Sequence, residues 1–263
     1  MYKTESLLKE FCPTIYGMIK KSKTNWEKLD KKFEEDYLKE GIEVESNIAG
    51  ILLKAKLGDK FLIEFLRHAD SIAKYLYDFT KEKRKFRDII VGKFTNLDSL
   101  NYLNPIGELS FLKKMIDNSY ELIRIEDNQT FPKLTPKDFL LKSPSGSELL
   151  IEVVNIHLRD DYESTEDLKM KLLNELNEKI EKETKGMEDE RYPSNFFFQP
   201  ILWHVNLSKF KKHVGFFKDF SKSVGRDFGL KYNTLGFCTF GKTKDNNLLF
   251  GEVSSFYDKY EIE

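Results

Sequence analysis

The feature that most constrains this chain is a carboxylate inside an apolar run: Glu152, flanked by Leu149, Leu150, Ile151, Val153 and Val154. Side chains alternate along a strand, so a residue in such a run shares its face with buried neighbours. A carboxylate there is costly unless a cation or hydrogen-bond donors compensate it. The run follows a second apolar stretch, Asp138 to Leu141, across Lys142-Ser-Pro-Ser-Gly-Ser147, a segment rich in turn formers. The spacing predicts a hairpin with Asp138 opening one strand and Glu152 inside the next. Neighbouring strands lie about 5 Å apart, so two carboxylates at matched depth on one face could share an ion. Hard divalent cations prefer carboxylate oxygen, and one held there activates water and neutralises charge on a phosphate.

The rest of the chain places this hairpin. Up to about residue 103 the pattern is helical. Leu7, Leu8 and Phe11 open one amphipathic segment, and Ile15, Met18 and Ile19 continue it after Pro13. A helix is predicted from Asn25 to Leu38, with Gly41 suited to its stop. Another starts at Ile48, and a long one carries Phe61, Phe65, Ile72 and Leu76 at three- and four-residue spacing. Asn104 as cap and Pro105 at the first position predict a helix to Ile116. Strands follow at Tyr120 to Ile125, Asp138 to Leu141 and Leu149 to Ile156. Then come a charged helix over Thr165 to Lys185, a strand over Phe196 to Val205, a helix over Lys209 to Ser223 and a terminal hairpin. The fold class is α+β with an α/β core: a helical region over 1–103, with a soft boundary, then a mixed sheet flanked by helices over 104–263.

Composition excludes more than it selects. Hydrophobic residues make up 40% and charged residues 33% of the 263, and the net charge is −1. That suits a globular chain without the overall basic charge of a general polyanion binder. Cys12 and Cys238 form no metal or disulfide framework. No apolar run approaches the roughly 18 residues that would span a bilayer, and the N-terminus is polar, so the expected compartment is the cytoplasm. Glycine-rich phosphate loops, Gly-x-Ser-x-Gly elbows and His-Glu-x-x-His motifs do not occur.

Glu108 on the helix before the strands, Pro136-Lys-Asp138, and Glu152-Val-Val154 together resemble the PD-(D/E)XK nuclease superfamily, whose core runs α-β-β-β-α-β. The resemblance covers roughly residues 104 to 255. It implies a restriction-endonuclease-like sheet and a metal-dependent endonuclease that hydrolyses phosphodiester bonds in DNA, with Glu108, Asp138 and Glu152 holding Mg²⁺ (or Mn²⁺). It also implies a restriction or phage-defence context and a homodimer for double-strand cleavage. The family's lysine, two residues after the second acid, is Val154 here. On a helical wheel Lys169 and Lys179 lie within or beside the apolar stripe Leu168, Leu172, Leu173, Leu176 and Ile180, and are the candidate substitutes. The alternative is a nuclease fold without catalysis, serving in nucleic-acid or protein binding.

Three basic clusters stand out: Lys20, Lys21 and Lys23; Lys81, Lys83, Arg84, Lys85 and Arg87; and Lys209, Lys211 and Lys212. The second is the densest and is the expected phosphate contact if DNA binds; solvated helix faces explain such clusters equally. His157, His204 and Gln199 are weaker candidates, each also consistent with an ordinary surface or core role.

Overall fold

The computed structural model describes residues 3–20, 25–38, 48–94, 103–127, 136–158, 162–185, 195–242 and 248–259. Lys21, Lys23 and Gly41 lie outside them. The chain divides into two compact units, Met1–Lys113 and Lys114–Glu263.

The first unit is helical: α1 (Lys3–Phe11), α2 (Pro13–Ile19), α3 (Trp26–Leu38), α4 (Ile48–Lys56), α5 (Lys60–Phe79), α6 (Lys83–Phe94) and most of α7 (Leu103–Asp117). Its apolar stripes form the interior, with Leu8, Ile15, Ile19, Leu52, Leu66 and Ala73 buried. Carboxylates distant in sequence satisfy helix ends that local residues leave open. Asp30 accepts from the amides of Lys3 and Thr4, both at 2.8 Å. Asp70 accepts from Thr14 at 2.8 Å and Ile15 at 2.9 Å. The helix α6 falls within the stretch expected to be helical, although no apolar stripe marks it there as a separate element. The division falls within α7 rather than before it, and α7 begins at Leu103, which puts Asn104 inside the helix instead of at its cap.

The second unit is a mixed sheet flanked by helices, so the chain is α+β. Its elements are β1 (Glu121–Asp127), β2 (Lys137–Lys142), β3 (Glu148–His157), α8 (Thr165–Thr184), β4 (Phe196–Trp203), α9 (Leu207–Phe210), α10 (Val214–Ser223), β5 (Asn233–Thr234), β6 (Cys238–Lys242), β7 (Leu248–Glu252) and α11 (Val253–Lys259). Among the described residues the strand order is β1-β2-β3-β4-β6-β7, with β5 beside β4. Pairing is antiparallel from β1 to β3, parallel at β3–β4 and β4–β6, and antiparallel at β6–β7. The parallel step needs a crossover, and α8 supplies it. Ser164 caps α8 by accepting from the Asp167 amide, a bond worth about 1 kcal/mol.

One core organises this unit. Leu150, Val154 and Ile156 of β3 and Phe196, Phe198 and Leu202 of β4 pack with the α8 stripe and with Phe216, Phe217 and Phe220 of α10. Alternation puts Glu152 on the same face as Leu150 and Val154, towards α8. Val154 is part of that core.

Candidate active site

The β2–β3 ladder ends at Phe139↔Ile151. One step further, Asp138 comes opposite Glu152, and the backbone pairing gives way to a side chain. The Leu150 amide bonds towards β4, to the Asn195 carbonyl. Odd-numbered amides of β3 therefore point towards β2. The Val153 amide finds no β2 carbonyl in this ladder; it donates to Asp138 Oδ2 at 2.8 Å. Asp138 thus terminates the strand pair and holds its half-buried carboxylate against the β3 backbone, beside Glu152.

Glu152 is 9% exposed, and its countercharge comes from the residue next to Asp138. Lys137, 1% exposed, places its ammonium 3.7 Å from Glu152 Oε2 and 3.1 Å from Glu183 Oε2 on α8. The same nitrogen donates to the Glu183 carbonyl at 3.1 Å and lies 5.9 Å from the centre of the Phe196 ring. One buried ammonium between two carboxylates and a carbonyl offsets part of the cost of Glu152 in its apolar setting; at 3.7 Å it is a countercharge to Oε2 rather than a hydrogen bond.

The lysines expected to do this are elsewhere. Lys169 pairs with Glu166 at 3.2 Å on the exposed side of α8. Lys179 donates to the Asn155 carbonyl at 2.5 Å, and burial holds its pKa below the usual lysine value, with Glu175 opposing. The reason is direction. Lys179 lies by Asn155, and Glu183 reaches the Lys137 beside Glu152, so α8 runs antiparallel to β3 and its inward lysine falls beyond Glu152. Glu108 is a buried carboxylate of α7 in the first unit. Among the described residues no three His, Cys, Asp or Glu side chains converge as a metal-ligand group. Asp138 and Glu152 hold facing positions one step beyond the ladder, and one or two carboxylates are what a typical Mg²⁺ site draws from a protein, its other ligands being water and substrate phosphate.

The 81–87 cluster in the first unit is engaged locally. Arg84 and Arg87 approach Asp88 at 3.9 and 3.4 Å, and Lys85 approaches Glu82 at 3.3 Å. Lys83 donates to the Tyr77 carbonyl and sits 4.4 Å from that ring's centre; Lys81 is exposed. Gln199 is buried and donates to the Gly236 carbonyl at 3.0 Å. His157 stacks on Trp203, and the exposed His204 follows with φ +63°. Lys137 is the residue that sequence reasoning missed. Its signal was its place between Pro136 and Asp138, at the mouth of an apolar strand.

Compared with known proteins, the sequence matches no family model, and neither a curated protein nor a solved structure is significantly similar to it.

Proposed function

We propose that this chain is a metal-dependent endonuclease of the PD-(D/E)XK kind, cutting phosphodiester bonds in DNA. The observation that carries the reading is the buried Lys137–Glu152 pair beside Asp138, at the point where β2 leaves β3. An acid from each strand of the hairpin and an ammonium from β2, one residue before Asp138, supply the charges that the family motif supplies, with Lys137 taking the part left open at Val154. The run of α7, β1, β2, β3, α8 and β4 has the order α-β-β-β-α-β.

In this reading Asp138 and Glu152 hold Mg²⁺ (or Mn²⁺). Bound there, the ion lowers the pKa of a ligated water and offsets charge on the scissile phosphate. Asp138 keeps one oxygen on the Val153 amide, which fixes its orientation. Lys137 holds Glu152 in place and sets a positive charge against the negative charge that develops as water attacks. A restriction or phage-defence setting and a homodimer belong to the same proposal and rest on the resemblance alone.

A second reading is favoured by the same ion pair. Lys137 already neutralises Glu152 without a metal, as it would in a nuclease fold retained for binding. Plasmid cleavage in Mg²⁺ or Mn²⁺, with EDTA and Asp138→Ala controls, separates the two. The first expects cleavage that both controls abolish; the second expects none.

A further inference from the structure

Away from the carboxylates, the second unit holds a cleft of about 520 Å³ where the segment after β3 meets the segment after β4. Tyr162 and Phe210 line it, and Lys209, Lys211 and Lys212 contribute three ammonium groups. All three lysines are exposed, and among the described residues Glu163 is the one acidic residue of the lining. The cleft is braced from beneath. His213, 1% exposed, bonds through Nδ1 to Thr165 Oγ1 at 2.9 Å and through Nε2 to the Tyr162 carbonyl at 3.3 Å. Burial keeps the His213 pKa below the ordinary imidazole value, with the Tyr162 carbonyl opposing. Lys212 donates to the Glu163 carbonyl at 2.9 Å. Lys211 has no ion pair or side-chain hydrogen bond among the described residues.

We infer that this cleft seats the phosphodiester backbone of DNA, with Lys209, Lys211 and Lys212 on the phosphates. Charge complementarity selects the ligand: among the described lining residues, three lysines against a single acid suit a polyanion. Lys83, Arg84, Lys85 and Arg87 of the 81–87 cluster already have partners on neighbouring residues of the first unit. The cleft precedes α8, and Glu183 at the other end of that helix touches Lys137. Twenty residues of helix make that span about 30 Å, or about nine base pairs at 3.4 Å each. A duplex of moderate length is long enough to occupy both places. The choice of DNA rests on the nuclease reading; a phosphate-binding cleft does not.

The test is fluorescence anisotropy of a labelled 20-base-pair duplex, in EDTA, across a salt series. The variants are Lys209→Ala/Lys211→Ala/Lys212→Ala, the contact-free reversal Lys211→Glu, and Lys81→Ala/Arg84→Ala as control. The triple variant is expected to bind about tenfold or more weakly, and its slope of log K against log salt to flatten by about 2 to 3, near 1 per lysine. Lys211→Glu is expected to weaken binding several-fold and the control to leave it unchanged. Wild-type affinity and slope in both the triple variant and Lys211→Glu would overturn the assignment. So would a wild type that binds inorganic phosphate but no duplex. Binding is read in EDTA, where no cleavage occurs, so a failure of cleavage and a failure of the cleft read out separately.

Discussion

Lys137 and Glu152 lie on adjacent antiparallel strands, and the lysine's nitrogen stands 3.7 Å from the glutamate's Oε2 with only 1% of Lys137 exposed. Such a pair contributes little net stability when intact, because both charges lose their water. Its consequence is asymmetric: removing one partner strands the other.

Lys137→Met should therefore destabilise the second unit by roughly 3 kcal/mol. Urea denaturation followed through Trp203, with Trp26 replaced by Phe, measures it. Lys137→Met/Glu152→Leu should recover a large part of the loss. A single-variant loss below about 1 kcal/mol would mean that the charges are solvated and the pair is incidental.

Asp138 has a structural duty separable from any chemical one. Its Oδ2 accepts from the Val153 amide at 2.8 Å. Asp138→Ala should cost about 2 kcal/mol, since hydrogen bonds to charged groups are worth about 1.5–3 kcal/mol. Asp138→Asn keeps an acceptor and should cost less, yet it should abolish cleavage as fully, because a neutral amide is a poor Mg²⁺ ligand. Equal cleavage by Asp138→Asn and wild type would remove Asp138 from the site.

In the first unit, burial, aided by Lys113, lowers the pKa of His68 from 6.5 to about 4. The folded state disfavours the protonated ring. Above pH 6.5 the group is neutral in both states and exerts no effect. As pH falls from 6.5 to about 4 the unfolded chain takes up a proton that the folded chain does not, so stability drops by up to about 3 kcal/mol. Thermal melts between pH 7 and 4 should show that loss, and His68→Gln should flatten it. Parallel curves for the two proteins would contradict the assignment.

Gly241 in β6 has no room for a side chain. A Cβ there would overlap Leu207 Cδ1 and come within 2.7 Å of Phe256 Cε1. Gly241→Ala should destabilise by about 1–3 kcal/mol, the range for overpacked cores, as read by the urea midpoint. An unchanged midpoint would mean that α11 yields at no cost.

Much of this architecture was legible in the sequence, because periodicity reports burial directly. The stripe of Leu168, Leu172, Leu176 and Ile180 marks α8 and its inward face, and the apolar run around Glu152 marks β3. The helix α6 was hidden by its charges, which carry little apolar periodicity. The start of α7 was misplaced because the Asn-Pro pair is a strong local signal that the longer helix overrode. The partner of Glu152 was harder still. A helical wheel shows that Lys179 faces inward, but not how far along β3 it lands. Lys137 was obscured by alternation, which assigns it and Asp138 to opposite faces. At the strand's mouth, where Asp138 has left the ladder, that rule no longer governs how far a long side chain reaches.

In the proposed metal-dependent site, Lys137 supplies the charge missing at Val154. Cleavage of supercoiled plasmid in Mg²⁺, comparing wild type, Lys137→Met and Glu152→Gln at a temperature where circular dichroism shows all three folded, tests it most directly. Wild type should cleave, EDTA should abolish that cleavage, and each variant should lose about a hundredfold or more, the scale of a lost charge-stabilising group. Wild-type rates in Lys137→Met, or no cleavage of supercoiled, linear or single-stranded DNA by the wild type, would contradict it.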